Sequence, residues 1–285
     1  MKLIRWGNPG KEKTGVIIDS VRYDTSSFGE DYDEQFFAND GINRLASYLE
    51  ENKGKLKIVA ESERLGAPFA RPSKILCIGL NYAKHAAETG AANPTEPILF
   101  MKSTTSMVGP NDDIIIPKNS LKTDWEVELA FVIGKKASYV TEDEAMNYVA
   151  GYVLHNDVSE REFQLERGGT WDKGKGCDTF APMGPFMATS DEIKDPHKLR
   201  LWLKLNGKIL QDSNTDDLIF NIPFLVSYVS QFMTLLPGDV VSTGTPAGVG
   251  LGLKPPVFLK AGDVIELGID GLGEARQVAQ AYAEG

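Results

Sequence analysis

The segment Asp124-Trp125-Glu126-Val127-Glu128-Leu129-Ala130-Phe131-Val132-Ile133 sets two carboxylates at i and i+2 at the head of an apolar run. In a strand side chains alternate, so Trp125, Val127 and Leu129 share one face while Glu126 and Glu128 project together from the other, about 7 Å apart. Such a pair repels itself unless water or a cation intervenes, and an exposed strand face is the other reading of the same spacing. A second apolar run, 150–154, ends in His155-Asn156-Asp157 and supplies a third carboxylate at a strand end. Three carboxylates without a Cys or His cluster suit a hard, oxygen-seeking ion, Mg²⁺ first, then Mn²⁺ or Ca²⁺. Neither an HExxH motif nor an EF-hand loop competes for that assignment.

In Gly79-Leu80-Asn81-Tyr82-Ala83-Lys84-His85-Ala86-Ala87-Glu88, a helix over 83–89 would place His85 and Glu88 at i and i+3. A carboxylate so placed orients the imidazole and raises its basicity, which is how a water-activating base is built. A solvated helix face has the same pattern. Arg161 and Gln164, again at i and i+3 just beyond Asp157, offer donors for a substrate oxygen or ordinary ion pairs at a helix start. The stretch 169–176 nearly spells a phosphate-binding loop, but Gly176 stands where the magnesium-binding hydroxyl belongs and no apolar strand leads in, so nucleotide binding is rejected. Lys175 is left as a lone cation among acids. The Gly-rich loop 243–250 follows a strand and brings backbone N–H groups within reach of an anion, or is a plain turn. Cys77 reads as core packing; Cys177, beside Lys175, has no sequence-local base to make it a nucleophile, although the neighbouring cation favours a lowered pKa. His197 reads as a surface turn and His155 as a core residue or a group behind the site.

The elements that must position these groups are mostly strands. Runs at 3–6, 16–19, 21–24, 74–79, 97–101, 114–117, 127–133, 150–154, 201–205, 240–243 and 264–269 carry strand signals, and Asn206-Gly207 predicts a type I′ hairpin. Helices are expected after Asp40-Gly41, over 142–149 with Thr141 and Glu144 as a capping box, and from Leu218 or Ile222 to about Leu235. The absence of regular βαβ alternation argues against a doubly wound sheet or a TIM barrel and for a β-rich α+β roll or sandwich. The turns 237–241 and 261–265 echo each other, which is turn chemistry recurring rather than a tandem repeat. Gly66, Pro68 and Pro72 mark a boundary near residue 70, between a small N-terminal α+β domain, 1–70, and a larger catalytic domain, 71–285.

Thirty basic against forty acidic side chains give a net charge of −10, which disfavours a nucleic-acid partner, whose affinity comes from Lys and Arg. An anionic substrate would then need a bound cation or a local basic cluster. Two cysteines exclude a disulfide framework and fit a reducing compartment. No apolar stretch reaches the about 18 to 20 residues that span a bilayer and no signal-peptide pattern develops, so the expected location is cytoplasmic.

Taken together, these residues resemble the fumarylacetoacetate hydrolase family. The landmarks are Asn81-Tyr82-x-x-His85-x-x-Glu88, Lys102 through Val108-Gly109-Pro110, Glu126-x-Glu128, Asp157-x-Ser159-x-Arg161-x-x-Gln164, Lys175-Gly176-Cys177-Asp178-Thr179-Phe180 with Pro182 and Gly184-Pro185, and Thr243-Gly244-Thr245-Pro246 with Gly248-Val249-Gly250. The resemblance implies Mg²⁺ or Mn²⁺ on Glu126, Glu128 and Asp157, a water-activating dyad of His85 and Glu88 on a mobile lid, and Lys175 near the metal. It also implies a mixed β-sandwich roll, a small N-terminal domain, and a homodimer or dimer of dimers. Gly176-Cys177 departs from the Ser-Phe of many members, at the pocket lining.

The activity expected on this basis is C–C bond hydrolysis of a 2,4-dioxo acid to pyruvate and a second acid, with Tyr82, Arg161, Gln164 and Thr245 holding substrate oxygens. The N-terminal sequence resembles a bacterial branch that includes ureidoglycolate lyase-like proteins and hydrolases of 2,4-diketo-3-deoxy sugar acids. A sugar acid such as 2,4-didehydro-3-deoxy-L-rhamnonate, giving pyruvate and lactate, is the preferred substrate by analogy. A lyase or decarboxylase acting on ureidoglycolate or oxaloacetate, a keto–enol isomerase and a catalytically silent binding protein are the rival readings.

Overall fold

A computed structural model describes residues 1–52, 54–84 and 94–284. The strand Val127–Ile133 is buried at every position because it is covered on both faces. Val127, Leu129, Phe131 and Ile133 enter one hydrophobic core, whereas Ala130 and Val132 enter a second. The strand lies inside a ten-stranded sheet, between Val149–Asn156 and Val240–Ser242. Beyond Val240–Ser242 come Ile75–Gly79, which pairs with it in parallel, and Ile98–Lys102; beyond Val149–Asn156 come Met187–Thr189 and then Lys2–Trp6, Lys13–Ile18, Val21–Asp24 and Lys57–Ile58.

Five strands form the second large sheet, in the order Lys208–Asn214, Arg200–Leu205, Val264–Ile269, Gly273–Ala281 and Ile114–Ile116. Leu201, Leu203, Ile265 and Leu267 of that sheet share the first core with Leu129 and Phe131, so the two sheets meet through the odd-numbered face of Val127–Ile133. This is the expected β-rich α+β class, with neither sheet closed into a barrel. The ten-stranded sheet passes across residue 70. Lys2 and Leu3 pair with Ala188 and Met187, and Leu3, Val16, Phe36 and Leu45 pack in the same core as Ala130, Val132 and Met187, so residues 1–70 share sheet and core with the rest of the chain.

Asn206 and Gly207 have φ of 50° and 79°, the two positive values a type I′ hairpin needs. Asp239 and Asp263 explain the echoed turns: each carboxylate accepts the backbone N–H three residues earlier, from Leu236 at 2.7 Å and Lys260 at 2.7 Å. Helices Gly41–Glu51 and Ile222–Phe232 match expectation, the latter started by Asn221, whose side chain accepts from Phe224 N at 2.9 Å. The segment 142–149 differs. Glu142–Tyr148 is a 3₁₀ helix without a capping box, because the Thr141 hydroxyl meets the Glu144 carboxylate at 3.3 Å rather than a backbone N–H. Val149 is then drawn into the strand Val149–Asn156.

Candidate active site

Strand register builds the acidic centre. Val127 pairs with Asn156 and Glu128 with His155, so Asp157, one residue past the strand end, comes to lie against Glu126 and donates its N–H to Glu126 O at 2.9 Å. Asn156 reinforces the alignment by accepting from Glu126 N at 3.1 Å. One oxygen from each of Glu126, Glu128 and Asp157 falls in a group within 4.8 Å, and all three residues are buried. The same-face placement of Glu126 and Glu128 follows the strand alternation; the exposed-face alternative does not hold.

Three cations meet these acids. Lys175 Nζ bridges Glu126 Oε2 and Asp157 Oδ2, each at 2.7 Å, and Lys102 Nζ reaches Asp157 Oδ1 at 2.6 Å and Val158 O at 3.0 Å. Arg161 joins Glu126 Oε1 at 2.7 Å to Asp124 Oδ2, with Nη2 and Nε at 2.7 and 2.8 Å from the latter. Among the described residues no cation pairs with Glu128. Its Oε2 accepts from Ser242 Oγ at 2.5 Å and Gly244 N at 3.0 Å, and Ser242 Oγ also meets His155 Nδ1 at 2.8 Å.

Electrostatics follow from this wiring. Burial, then the charges of Asp157 and Glu126, push the Glu128 carboxyl well above the usual range. Burial acts on Asp157 in the same sense, but Lys102 and Lys175 outweigh it and hold its carboxyl below the usual range. Burial works against the charge of Lys175 and is overcome by Asp157 and Glu126, so its ammonium is held charged. His155 is pulled down to about 3 by burial, against the opposing charge of Asp157 and with smaller help from Lys102 and Lys175, and is neutral; its Nε2 has no partner among the described residues. Four carboxyl groups meet three cations, and those of Glu126, Glu128 and Asp157 face one point. This oxygen-only set fits a hard divalent cation, which would also relieve the repulsion on Glu128.

These groups open into a cavity of about 280 Å³ lined by Glu126, Glu128, Arg161, Gln164, Lys175 and Thr245 and otherwise by apolar side chains. The near-phosphate-loop sequence forms the short helix Asp172–Lys175, which delivers Lys175. Gly174 permits its close seat, since a Cβ there would lie 2.3 Å from Glu160 O and 2.6 Å from Gln164 N.

The sequence profile described as "Fumarylacetoacetate (FAA) hydrolase C-terminal" matches residues 74–279, which contain every one of these groups. The chain belongs to the fumarylacetoacetate hydrolase family. A Burkholderia cenocepacia relative whose name, "Putative hydrolase", states no substrate is 52% identical over 279 residues, 97% of this chain and 98% of its own. Maleylpyruvate hydrolase from Sphingobium sp. SYK-6, solved in complex with manganese(II) ion and pyruvate, is similar over 99% of this chain and 100% of its own, with a TM-score of 0.82 and 29% identity. The 2-hydroxyhepta-2,4-diene-1,7-dioate isomerase of Mycobacterium marinum is similar over 100% of both chains, with a TM-score of 0.75 and 30% identity. Members of the family are thus enzymes, hydrolases or isomerases, and a divalent metal site accords with the carboxylates.

Within this fumarylacetoacetate hydrolase fold, Glu126, Glu128, Asp157, Lys175, Arg161, Gln164 and Thr245 come together as one constellation. Gln164 gives its carbonyl oxygen to Arg161 Nη1 at 3.1 Å, which turns its NH₂ into the group left for a ligand. Thr245 lines the cavity with its hydroxyl committed, donating to Val127 O at 3.0 Å and accepting from Gln211 Nε2 at 2.8 Å. Tyr82 is fully buried outside the lining, its hydroxyl without a partner among the described residues. His85 and Glu88 lie outside the described residues.

Cys77 is core, whereas burial pushes the Cys177 thiol up to about 11, opposite to the lowering a neighbouring lysine suggests. His197 is half-buried and accepts from Ile222 N at 3.2 Å, so it braces the helix start rather than a free turn. Sequence reasoning gave no role to Lys102, Asp124 or Ser242. A lysine closing the apolar strand Ile98–Lys102 is the one local signal that would have flagged a buried cation in need of a carboxylate.

Proposed function

We propose that this chain is a divalent-metal-dependent hydrolase that cleaves the C3–C4 bond of an acylpyruvate-type 2,4-dioxo acid to pyruvate and a second carboxylic acid. The observation that carries the reading is the convergence of Glu126, Glu128 and Asp157 within 4.8 Å, beside Lys175, at a cavity that Glu126, Glu128 and Lys175 line. These three residues would hold Mg²⁺, or Mn²⁺ in its place, and the ion supplies Lewis-acid stabilisation of charge on a 2-oxo carboxylate.

The remaining work falls to the chain. Lys175 keeps a charged ammonium at the point where enolate charge develops, in a site poor in water. The amide NH₂ of Gln164 and Arg161 Nη1 hold a substrate carboxylate oxygen, while Thr245 shapes the wall and Tyr82 packs outside the lining. His85, oriented by Glu88, takes a proton from water, and the hydroxide adds to the C4 carbonyl. The C3–C4 electron pair then leaves as pyruvate enolate, and protonation at C3 completes the balance. We place the enzyme in the cytoplasm as a homodimer or dimer of dimers, an assembly that sedimentation velocity reads directly; among the described residues no helix is long and apolar enough to cross a membrane.

The similarity to an isomerase names the chief competing chemistry, rearrangement on the same centre without attack by water. NMR of products separates them. With Mg²⁺ and a panel of an acylpyruvate, a 2,4-diketo-3-deoxy sugar acid, oxaloacetate and ureidoglycolate, we expect chelator-sensitive pyruvate plus a second carboxylic acid. A tautomer alone, pyruvate plus CO₂, or glyoxylate plus urea would replace the hydrolytic step. His85→Ala is expected to bind Mn²⁺ normally and lose turnover; undiminished turnover would remove the dyad from the mechanism.

A further inference from the structure

Among the described residues most of the cavity's polar lining is already paired. Arg161 and Lys175 are the cations on it, and both are paired to Asp124, Glu126 and Asp157. Thr245 spends its hydroxyl on Val127 O and Gln211, and Gln164 keeps one NH₂. Every other described lining residue is apolar, including Ile78, Leu80, Leu165 and Leu251 around the aromatic pair Phe100 and Trp171.

The aromatic pair is a built wall. Its ring centroids are 5.2 Å apart at 59°, and Lys175 Nζ sits 4.9 Å from the Phe100 centroid, so the wall begins where the charged network ends. Gly79 makes room for it: a Cβ there would lie 2.6 and 2.9 Å from Cζ3 and Cη2 of Trp171. Those atoms belong to the benzo edge of the indole, so the ring is seated over the strand end through hydrocarbon and not through its N–H. The volume, about 280 Å³, is at the small end of ligand cavities, which run from about 300 to 1,000 Å³.

We infer that Gly79, Phe100 and Trp171 form a short hydrocarbon slot that receives the distal substituent of the substrate, and that this substituent is a small alkyl group rather than a carboxylate or a hydroxylated chain. A distal carboxylate would enter a slot with no unpaired cation among the described residues, and a polyhydroxylated tail would give up water for carbon. The slot therefore favours a simple acylpyruvate over the deoxy sugar acid that the N-terminal resemblance suggests. The inference rests on the proposed function only in seating a 2-oxo acid head at Glu126, Glu128 and Asp157.

Calorimetric titration of the full chain with Mn²⁺ and straight 2-oxo acids tests it without requiring turnover. From pyruvate through 2-oxobutanoate to 2-oxopentanoate, affinity is expected to rise about fourfold per methylene. 2-Oxoglutarate and 4-hydroxy-2-oxopentanoate, of the same carbon length as 2-oxopentanoate, are expected to bind more weakly than it does. Trp171→Ala should flatten the alkyl series by weakening 2-oxopentanoate far more than pyruvate, and Gly79→Ala, by displacing the ring, should penalise 2-oxopentanoate most. Stronger binding of the carboxylated or hydroxylated probe, a flat series in the native chain, an unaltered series in Trp171→Ala, or no binding of any probe overturns the slot. An alkyl preference in a chain that cleaves no 2,4-dioxo acid leaves the slot standing and overturns the hydrolase reading alone.

Discussion

Arg44 meets Glu30 and Arg5 meets Asp31 in the N-terminal segment, where water reaches at least one partner of each pair, whereas Lys102, Lys175 and Arg161 meet Asp157, Glu126 and Asp124 almost wholly out of water. The side chains are of the same kinds, yet the energetics differ in sign. Exposed pairs are solvated before and after they form, so little is gained. Buried charges lose hydration first, and an array of this kind is weak evidence of stability; apolar residues of similar volume would pack the same space at less cost. Six charged side chains and the Glu128 carboxyl gathered beneath a cavity make physical sense as a receptor for a further cation and an anionic ligand, for which they are already desolvated and oriented.

Breaking the buried array gives the largest expected effect. Asp157→Ala leaves Lys102 and Lys175 without a principal partner; we expect a loss of about 3–5 kcal/mol in chelator-treated protein, read by urea unfolding, together with loss of Mn²⁺ binding and turnover. Stability within 1 kcal/mol of the native chain would show the array to be hydrated rather than dry. Ser242→Ala is a smaller cut in the same region, since it removes one donor from Glu128 and the partner of His155 Nδ1. It is expected to weaken Mn²⁺ binding by about tenfold, measured by electron paramagnetic resonance of the free ion, without abolishing it. Unchanged affinity would separate the Ser242–His155 pair from the metal-binding carboxylate. At the other end of the comparison, Arg44→Ala should leave the urea midpoint within its scatter, and a clear shift there would mean that the N-terminal surface pairs act as a network.

Several parts of the site were legible one element at a time. The period of two from Trp125 to Ile133 assigned Glu126 and Glu128 to one face, and the two cores confirm the alternation, with Leu129 and Phe131 on one side and Ala130 and Val132 on the other. Asp157 was legible as an acid at a strand end, but its position against Glu126 depends on the pairing of Val127 with Asn156. The 3₁₀ helix at Glu142–Tyr148 was misread because the Thr141 and Glu144 side chains satisfy each other instead of the backbone. Lys102 and Asp124 were visible as residues and silent as partners, since nothing near either in sequence carries its counter-charge.

The sequence by itself determined what short range controls: the faces of the central strand, the type I′ turn at Asn206-Gly207, the aspartate-locked turns at Asp239 and Asp263, and an oxygen-rich ligand set suited to a hard cation. Only the tertiary structure decided that Lys102 and Lys175 converge on Asp157, that Ser242 rather than a cation holds Glu128, that the N-terminal strands join the large sheet through Lys2–Trp6, and that Gly79 seats Trp171 beside the site. The physical reason is that backbone geometry fixes where a side chain points relative to its own element within a few residues. Which element stands opposite is settled by burial and register summed over the whole chain.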